Sequence, residues 1–258
     1  MPLPQGWIVP DWPLPSNVRA LCTDRTGGQS QPPYDSLNLG DHVGDAPEAV
    51  AANRTVFAQA IGARPIYLHQ VHGRRAAVLH GDEPDGIEAD ACITSAAGLA
   101  CTIMVADCLP VLLALRDGSA VAAAHAGWRG LAGDRQAGVL EAVWQGLQEH
   151  SAARADDTMA WLGPCIGPDA FEVGPEVLAA FAAHAPEAAS LFRPQGAGKW
   201  RADLQGLARQ RLRALGITRV YGNDGGPDWC TVANPSRFFS HRRDRVSGRF
   251  AASVWIGG

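Results

Sequence analysis

The chain has 258 residues, 47% of them apolar and 19% charged, with 22 Lys and Arg against 26 Asp and Glu for a net charge of −4. That length buries a sizeable core as one large domain or two small ones, and the 29 Gly and 18 Pro are not set in the periodic blocks of a fibrous or low-complexity chain. Net acidity argues against a nucleic-acid partner, and the longest apolar run, Gly98 to Leu115, is broken by Asp107 and Pro110 before reaching the roughly 20 residues of a membrane span.

The opening residues, MPLPQGWIVPDWPLP, have no basic segment followed by an apolar one, so no signal peptide is expected. Six cysteines, at 22, 92, 101, 108, 165 and 230, have neither the density nor the paired CxxC spacing of a disulfide scaffold or zinc ribbon, which predicts a reduced, cytoplasmic protein.

The first 45 residues read as loops with two short strands, WIVP from Trp7 and VRALCT from Val18. A helix follows, with Asp45 as N-cap, Pro47 in its first turn, an apolar face of Val50, Val56, Phe57 and Ile61, and its end at Gly62. PIYLHQVHG and RRAAVLHG are strand-like, as are ADACIT and LACTIMVAD on either side of the turn Ser95 to Gly98.

Between Leu109 and Gly127 two apolar stretches flank Asp117-Gly118, a strong hairpin signal. If those two residues form the loop, facing positions add to 235, so Pro110 faces His125 and Cys108 faces Gly127. Cys108 and His125 then share one face at one end of the hairpin, a diagonal step of about 7–8 Å apart.

Helical spacing of Val139, Leu140, Val143, Trp144 and Leu147 predicts a helix from about Asp134 to Gln148. MAWLG is a strand running into the tight turn Pro164 to Pro168. Pro175 to His184 and Asp203 to Leu215 are helical, the second opened by Asp203 and closed by Gly216, and ITRVYG and RFAASVWI are strands. Without a regular βαβ period, an internal repeat or a long linker, residues 1–258 read as one mixed α/β (α+β) domain, layered and flanked by helices.

Three residues stand out as metal ligands: His72 in HQVHG, Cys108 in ADCLP and His125 in HAGWRG, separated by 36 and 17 positions. Taken singly, each is ordinarily a packed core residue. Two imidazoles and a thiolate nevertheless suit zinc, and three protein ligands leave a fourth position for water or substrate, as catalytic zinc sites do. His69 lies three before His72, so in a strand their rings point to opposite faces and only one is a ligand. Asp107 has the opposite parity to Cys108 and is expected to point away from the metal into a hydrogen-bond network.

Arg129, just ahead of a helix, is a candidate anion contact, with a surface ion pair as the competing reading. The cluster Ser240 to Asp244, with Arg242 and Arg243 and with Arg237, Arg245 and Arg249 nearby, is dense enough in guanidinium to hold phosphate, although basic runs more often form a solvated face. HExxH, GxxxxGK[ST], GxSxG and strand-borne GxGxxG motifs are absent, as is the HxE with PCxxC pattern of zinc nucleobase deaminases.

HQVHG, DACIT, ADCLPVLL, AAAHAGWRG, LGPCIGPDAFEVG and FFSHRRD, in that order and after TDRTGGQS and SLNLGDHVGDAPEAVAANR, resemble the YfiH-like laccase-domain family, also called multicopper polyphenol oxidase or purine nucleoside phosphorylase. The likeness runs from Cys22 to Trp255, with departures at Asp24, where Thr is commoner, and His241, where Tyr is.

It implies a single α/β domain and a zinc held by the counterparts of His72, Cys108 and His125. It further implies phosphorolysis of adenosine, inosine and methylthioadenosine to base and ribose 1-phosphate, with deamination of adenosine to inosine. By position in the family motifs, Asn38, Arg54 and the Arg242–Arg243 cluster become nucleoside and phosphate contacts, and Cys165 a pocket-lining residue. The partners implied are a purine nucleoside and phosphate, with the chain a monomer or weak homo-oligomer.

Three other readings share the ligand set. Copper would make the protein a polyphenol oxidase, yet a multicopper enzyme must also ligate a trinuclear cluster, and only eight His are present, scattered at 42, 69, 72, 80, 125, 150, 184 and 241. Some relatives are linked to peptidoglycan precursor editing, the removal of L-Ser from a UDP-linked muramic acid. A non-enzymatic protein would close a structural zinc with a fourth protein ligand.

Overall fold

The computed structural model describes residues 4–134 and 137–257. In chain order the elements are β1 (Val18–Cys22), α1 (Pro47–Ile61), β2 (Arg64–Tyr67), β3 (Ala76–Val78), β4 (Ala91–Thr94), β5 (Leu99–Val105), β6 (Leu109–Leu115), β7 (Val121–Ala126), α2 (Trp128–Ala132) and α3 (Val139–Ser151). There follow β8 (Thr158–Leu162), β9 (Glu172–Val173), α4 (Pro175–Ala182), β10 (Phe192–Gly196), β11 (Lys199–Ala202), α5 (Leu204–Ala214), β12 (Arg219–Gly222), α6 (His241–Asp244) and β13 (Phe250–Ile256).

Two mixed sheets stack face to face, one ordered β1-β13-β5-β2 and the other β12-β8-β6-β7-β4-β3. Side-chain alternation along β6 shows why both stay buried. Leu112 and Ala114 pack with Ile103, Phe250 and Val254 of the facing sheet. Leu109, Val111 and Leu113 turn to the other side, against Leu140, Val143 and Leu147 of α3 and Leu207 and Leu212 of α5. The outer face of the four-stranded sheet packs Met104 and Ala251 on Phe57 and Ile61 of α1. The result is one α/β domain of four layers, helix, sheet, sheet, helices. Strands buried on both faces read as continuous apolar runs, as LPVLLAL does.

The hairpin register agrees with the sequence arithmetic: Pro110 pairs with His125, Val111 with Ala124 and Ala114 with Val121. The ladder closes on Leu115 N–H bonding Ala120 O, so the loop runs from Arg116 to Ser119 and is longer than the two residues Asp117-Gly118.

Other boundaries move for identifiable reasons. Asp45 does not cap α1: its carboxylate accepts from Ser30 Oγ, Asn38 Nδ2 and Ala46 N–H, and Ala46 occupies the cap position. Helix α3 begins at Val139 rather than Asp134. Asp134 lies in a bridge with Ala137, residues 135 and 136 lie outside the described residues, and Glu141 closes on Gly138 N–H at the helix start. The short helix α2 and the small sheet β10-β11-β9 carry no periodic signal of helix or strand length.

Two cations fasten elements together. Arg211 of α5 makes a double hydrogen bond with Glu141 of α3, at 2.9 and 3.0 Å. Arg209, also on α5, donates to the carbonyls of Val220, Gly222 and Asn223 along β12.

Leu113 is fully buried at the centre of β6. Its replacement by Ala is expected to lower unfolding free energy by about 2–5 kcal/mol in a urea titration, since both neighbouring layers are too well packed to collapse onto the void.

Candidate functional site

His72, Cys108 and His125 converge: one ligand atom from each lies within 4.8 Å of the others. Cys108 ends the turn into β6 and His125 lies on β7, as the hairpin register requires. His72 arrives differently. Strand β2 ends at Tyr67, and His72 sits in the following loop with φ 59°, so strand parity with His69 does not decide which imidazole is the ligand.

Asp90, fully buried just ahead of β4, explains how that loop is held. One carboxylate oxygen accepts from His72 N–H at 2.9 Å, and the other from Gly73 N–H at 2.7 Å and Val71 N–H at 3.2 Å. The first oxygen also lies 2.8 Å from His125 Nδ1. Since the carboxylate accepts, Nδ1 carries the proton and the Nε2 lone pair is left for a metal. Burial works against the charged form of Asp90, but His125 and these N–H donors outweigh it and hold its pKa below the ordinary value.

Two glycines permit the close packing of the triad. A Cβ on Gly127 would stand 2.9 Å from both Cys108 Sγ and His72 Cδ2, and one on Gly130 would stand 2.5 Å from Gly73 O. Larger residues there would push α2 away from the His72 loop.

The donor set fits a metal. Cys108 Sγ lies 3.6 Å from His72 Nε2. Tetrahedral zinc with Zn–S of about 2.3 Å and Zn–N of about 2.0–2.1 Å puts those two atoms about 3.6 Å apart. Among the described residues no fourth His, Cys or carboxylate joins the cluster, so the set has the three-ligand composition of catalytic rather than closed structural sites. The donors suit a divalent metal without choosing between zinc and copper.

Burial by itself would raise the Cys108 thiol. The neighbouring His125 charge and hydrogen bonds from His125 and His72 reverse that and lower its pKa to about 6. Burial would likewise lower His125, but Cys108 and Asp90 raise it to about 9. Without metal the two therefore form a thiolate–imidazolium pair at neutral pH.

The triad opens into a cleft of about 450 Å³ with an apolar wall of Trp128, Ile166, Phe171 and Leu204. Among the described residues, four arginines, Arg129, Arg242, Arg245 and Arg249, line it together with His42 and His241, against a single carboxylate, Asp107. Asp107 lies ahead of β6 with φ 90°, so strand parity does not place it; it lines the cleft and bonds Thr231 Oγ1 and Arg242 N–H, both at 2.6 Å. Gln70, between the two histidines of HQVHG, braces the rim by exchanging two 2.9 Å bonds with the Met104 backbone.

The other sequence candidates divide. Arg129 and Arg242 reach the cleft. Asn38 does not: it is fully buried, its amide bonding Gly40 O and Asp45 and its carbonyl accepting from Gly40 and Arg249 N–H. Arg54 lies outside the lining, stacked 4.0 Å over Tyr67 and bonded to Leu39 O. Cys165 sits behind the wall, fully buried and bonded to Asn223 Nδ2, with its pKa pushed well up by burial. Arg243 points into the protein, donating to Thr231 O, Val232 O and Phe238 O and pairing with Asp244.

Arg245 and Arg249, nearby cations in the sequence, line the cleft instead. Arg245 has φ 63° and ψ −57°, and Val246 N–H bonds Asp244 O across it at 2.7 Å. This is the rare positive-φ γ-turn, a backbone state that costs a side-chain-bearing residue about 1–2 kcal/mol.

Comparison with known proteins agrees with this architecture. A single α/β domain with stacked mixed sheets and one two-histidine, one-cysteine cluster defines the class. The chain belongs to the multi-copper polyphenol oxidoreductase laccase family, whose model matches residues 19–257. A Pseudomonas aeruginosa protein named a purine nucleoside phosphorylase is 50% identical over 97% of this chain and 98% of its own length. An Escherichia coli K12 protein of the same name is 45% identical over 96% and 98%. Among solved structures, a Neisseria meningitidis protein superposes with TM-score 0.88 at 45% identity, covering 98% of this chain and 100% of its own. YlmD from Geobacillus stearothermophilus superposes with TM-score 0.90 at 29% identity, covering 100% and 98%.

Two predictions follow from the geometry. Asp90→Asn places an amide N–H₂ among N–H donors, and is expected to lower metal affinity by about 10–100-fold and unfolding free energy by about 1–3 kcal/mol, read by metal titration and urea denaturation. In metal-free protein, iodoacetamide followed by mass spectrometry is expected to label Cys108 first. The rate should rise as pH passes about 6, where the thiolate forms, instead of the roughly 8.5 of a free cysteine.

Proposed function

We propose that the protein is a metal-dependent purine nucleoside phosphorylase that also deaminates adenosine, with His72, Cys108 and His125 as metal ligands. Family membership and the triad support metal-dependent enzymatic chemistry. The observation that carries the finer reading is the cleft, where the triad, a flat apolar wall and an excess of guanidinium meet in a volume suited to a nucleoside with an anion.

A bound metal would supply Lewis-acid polarisation at the triad. The apolar wall of Phe171, Ile166 and Leu204 takes the base out of water. Guanidinium groups draw phosphate into the cleft and hold it in place for attack on C1′ as the bond to N9 breaks. Asp107 does not repel that phosphate strongly, because both its oxygens are engaged by Thr231 and Arg242. Asp90 keeps His125 in the metal-binding tautomer throughout.

A second reading, copper-dependent oxidation of a phenol, is favoured by the family description and by a donor set that copper also accepts. All eight histidines are among the described residues, and only one ligand cluster of three forms among those residues. On this reading the oxidation would therefore use one copper rather than a trinuclear cluster.

Metal-loaded protein incubated with adenosine, with and without phosphate, is expected to yield adenine and ribose 1-phosphate only with phosphate, and inosine in both cases. Cys108→Ala is expected to lower these rates at least about 100-fold while keeping the native circular dichroism. Oxygen uptake with a phenol by the copper-loaded protein, and no nucleoside turnover by either metal form, would reverse the assignment.

A further inference from the structure

The four arginines of the cleft are not equivalent. Arg249 donates its guanidinium to Ser247 O and Gly248 O, and Arg242 donates to Glu172 O and Ala170 O. Those two groups support loops. Arg129 is exposed and stacks on Trp128 at 4.6 Å, and among the described residues its guanidinium has no hydrogen-bond or carboxylate partner. Arg245 is likewise exposed and without such a partner for its side chain among the described residues.

The backbone at Arg245 supplies a separate observation. Its φ of 63° lies in the left-handed region that favours glycine, yet the position carries a long cation that lines the cleft. Strain of this kind is kept where the surrounding structure fixes it, and such residues cluster at ligand clamps. Here Ser240 Oγ accepts Arg243 N–H and Asp107 accepts Arg242 N–H, which hold the turn leading into Arg245.

We propose that Arg129 and Arg245 form the oxyanion clamp of the cleft and take free inorganic phosphate between them. The Trp128 indole beside Arg129 and the turn that fixes the Arg245 backbone restrict the directions from which the two forks reach the cleft, so less freedom is lost on binding. The clamp deepens the phosphorolytic reading and rests on it for its catalytic role, but phosphate binding itself can be measured without turnover.

Isothermal titration of inorganic phosphate into metal-loaded wild type, Arg129→Met and Arg245→Gly is the test, with adenosine 5′-monophosphate titrated in parallel. Each variant is expected to raise the Kd for phosphate at least about tenfold, the loss of one charge-assisted bidentate contact. Arg245→Gly is also expected to keep its Tm at or above that of wild type, because glycine adopts the turn without strain. A lower Tm with unchanged phosphate affinity would make Arg245 structural and overturn the clamp.

Wild-type protein that binds no phosphate overturns it too, as does a dependence on Arg245 seen for the monophosphate alone. If both variants lose phosphate but wild type turns over no nucleoside, the clamp stands and the phosphorylase reading falls.

Discussion

A carboxylate with no access to solvent organises this molecule's chemistry. Asp90 collects three backbone N–H groups of the His72 loop and the Nδ1 proton of His125. Leaving that charge unpaired in the interior would be strongly unfavourable, so the loop and the imidazole are drawn to it together. Both histidine positions therefore depend on one group that takes no part in the ligand cluster. His72 adopts its left-handed backbone because the carboxylate needs consecutive N–H donors turned inward.

The stacked sheets provide the rigidity on which this arrangement depends. Strands β6 and β7 are buried on both faces, and their register leaves no freedom to slide, since a one-residue slip would turn every side chain to the wrong layer. Cys108 and His125 inherit that fixity by lying at the end of the hairpin. The cleft beyond is built from less regular segments, the turn after β8 and the loops around α6, which present arginines and aromatic residues to it.

Much of the fold was legible in the sequence because its signals were local. Asp117-Gly118 between two apolar runs placed Pro110 opposite His125, and Asp203 with Gly216 bounded α5 at its observed ends. The site was legible in part, through residue type. His72, Cys108 and His125 announce themselves as ligands, whereas Asp90 looks like any acid preceding a strand. Its role depends on donors 17 to 35 positions away.

The arginines show the same limit. Position near a motif could not separate Arg243, whose guanidinium is spent on carbonyls, from Arg245, which a γ-turn swings into the cleft. Asn38, Arg54 and Cys165, which the motifs offered as contacts, hold loops and fill space in the structure.

Arg209 has a consequence for the molecule's outer boundary. Strand β12 ends the six-stranded sheet, and the carbonyls of Val220 and Gly222 on its open side are the groups an incoming strand from another chain would need as acceptors. One guanidinium occupies both, so the ladder terminates in a cation instead of a template. At this border a single helix side chain thus withholds two acceptors from edge-to-edge pairing.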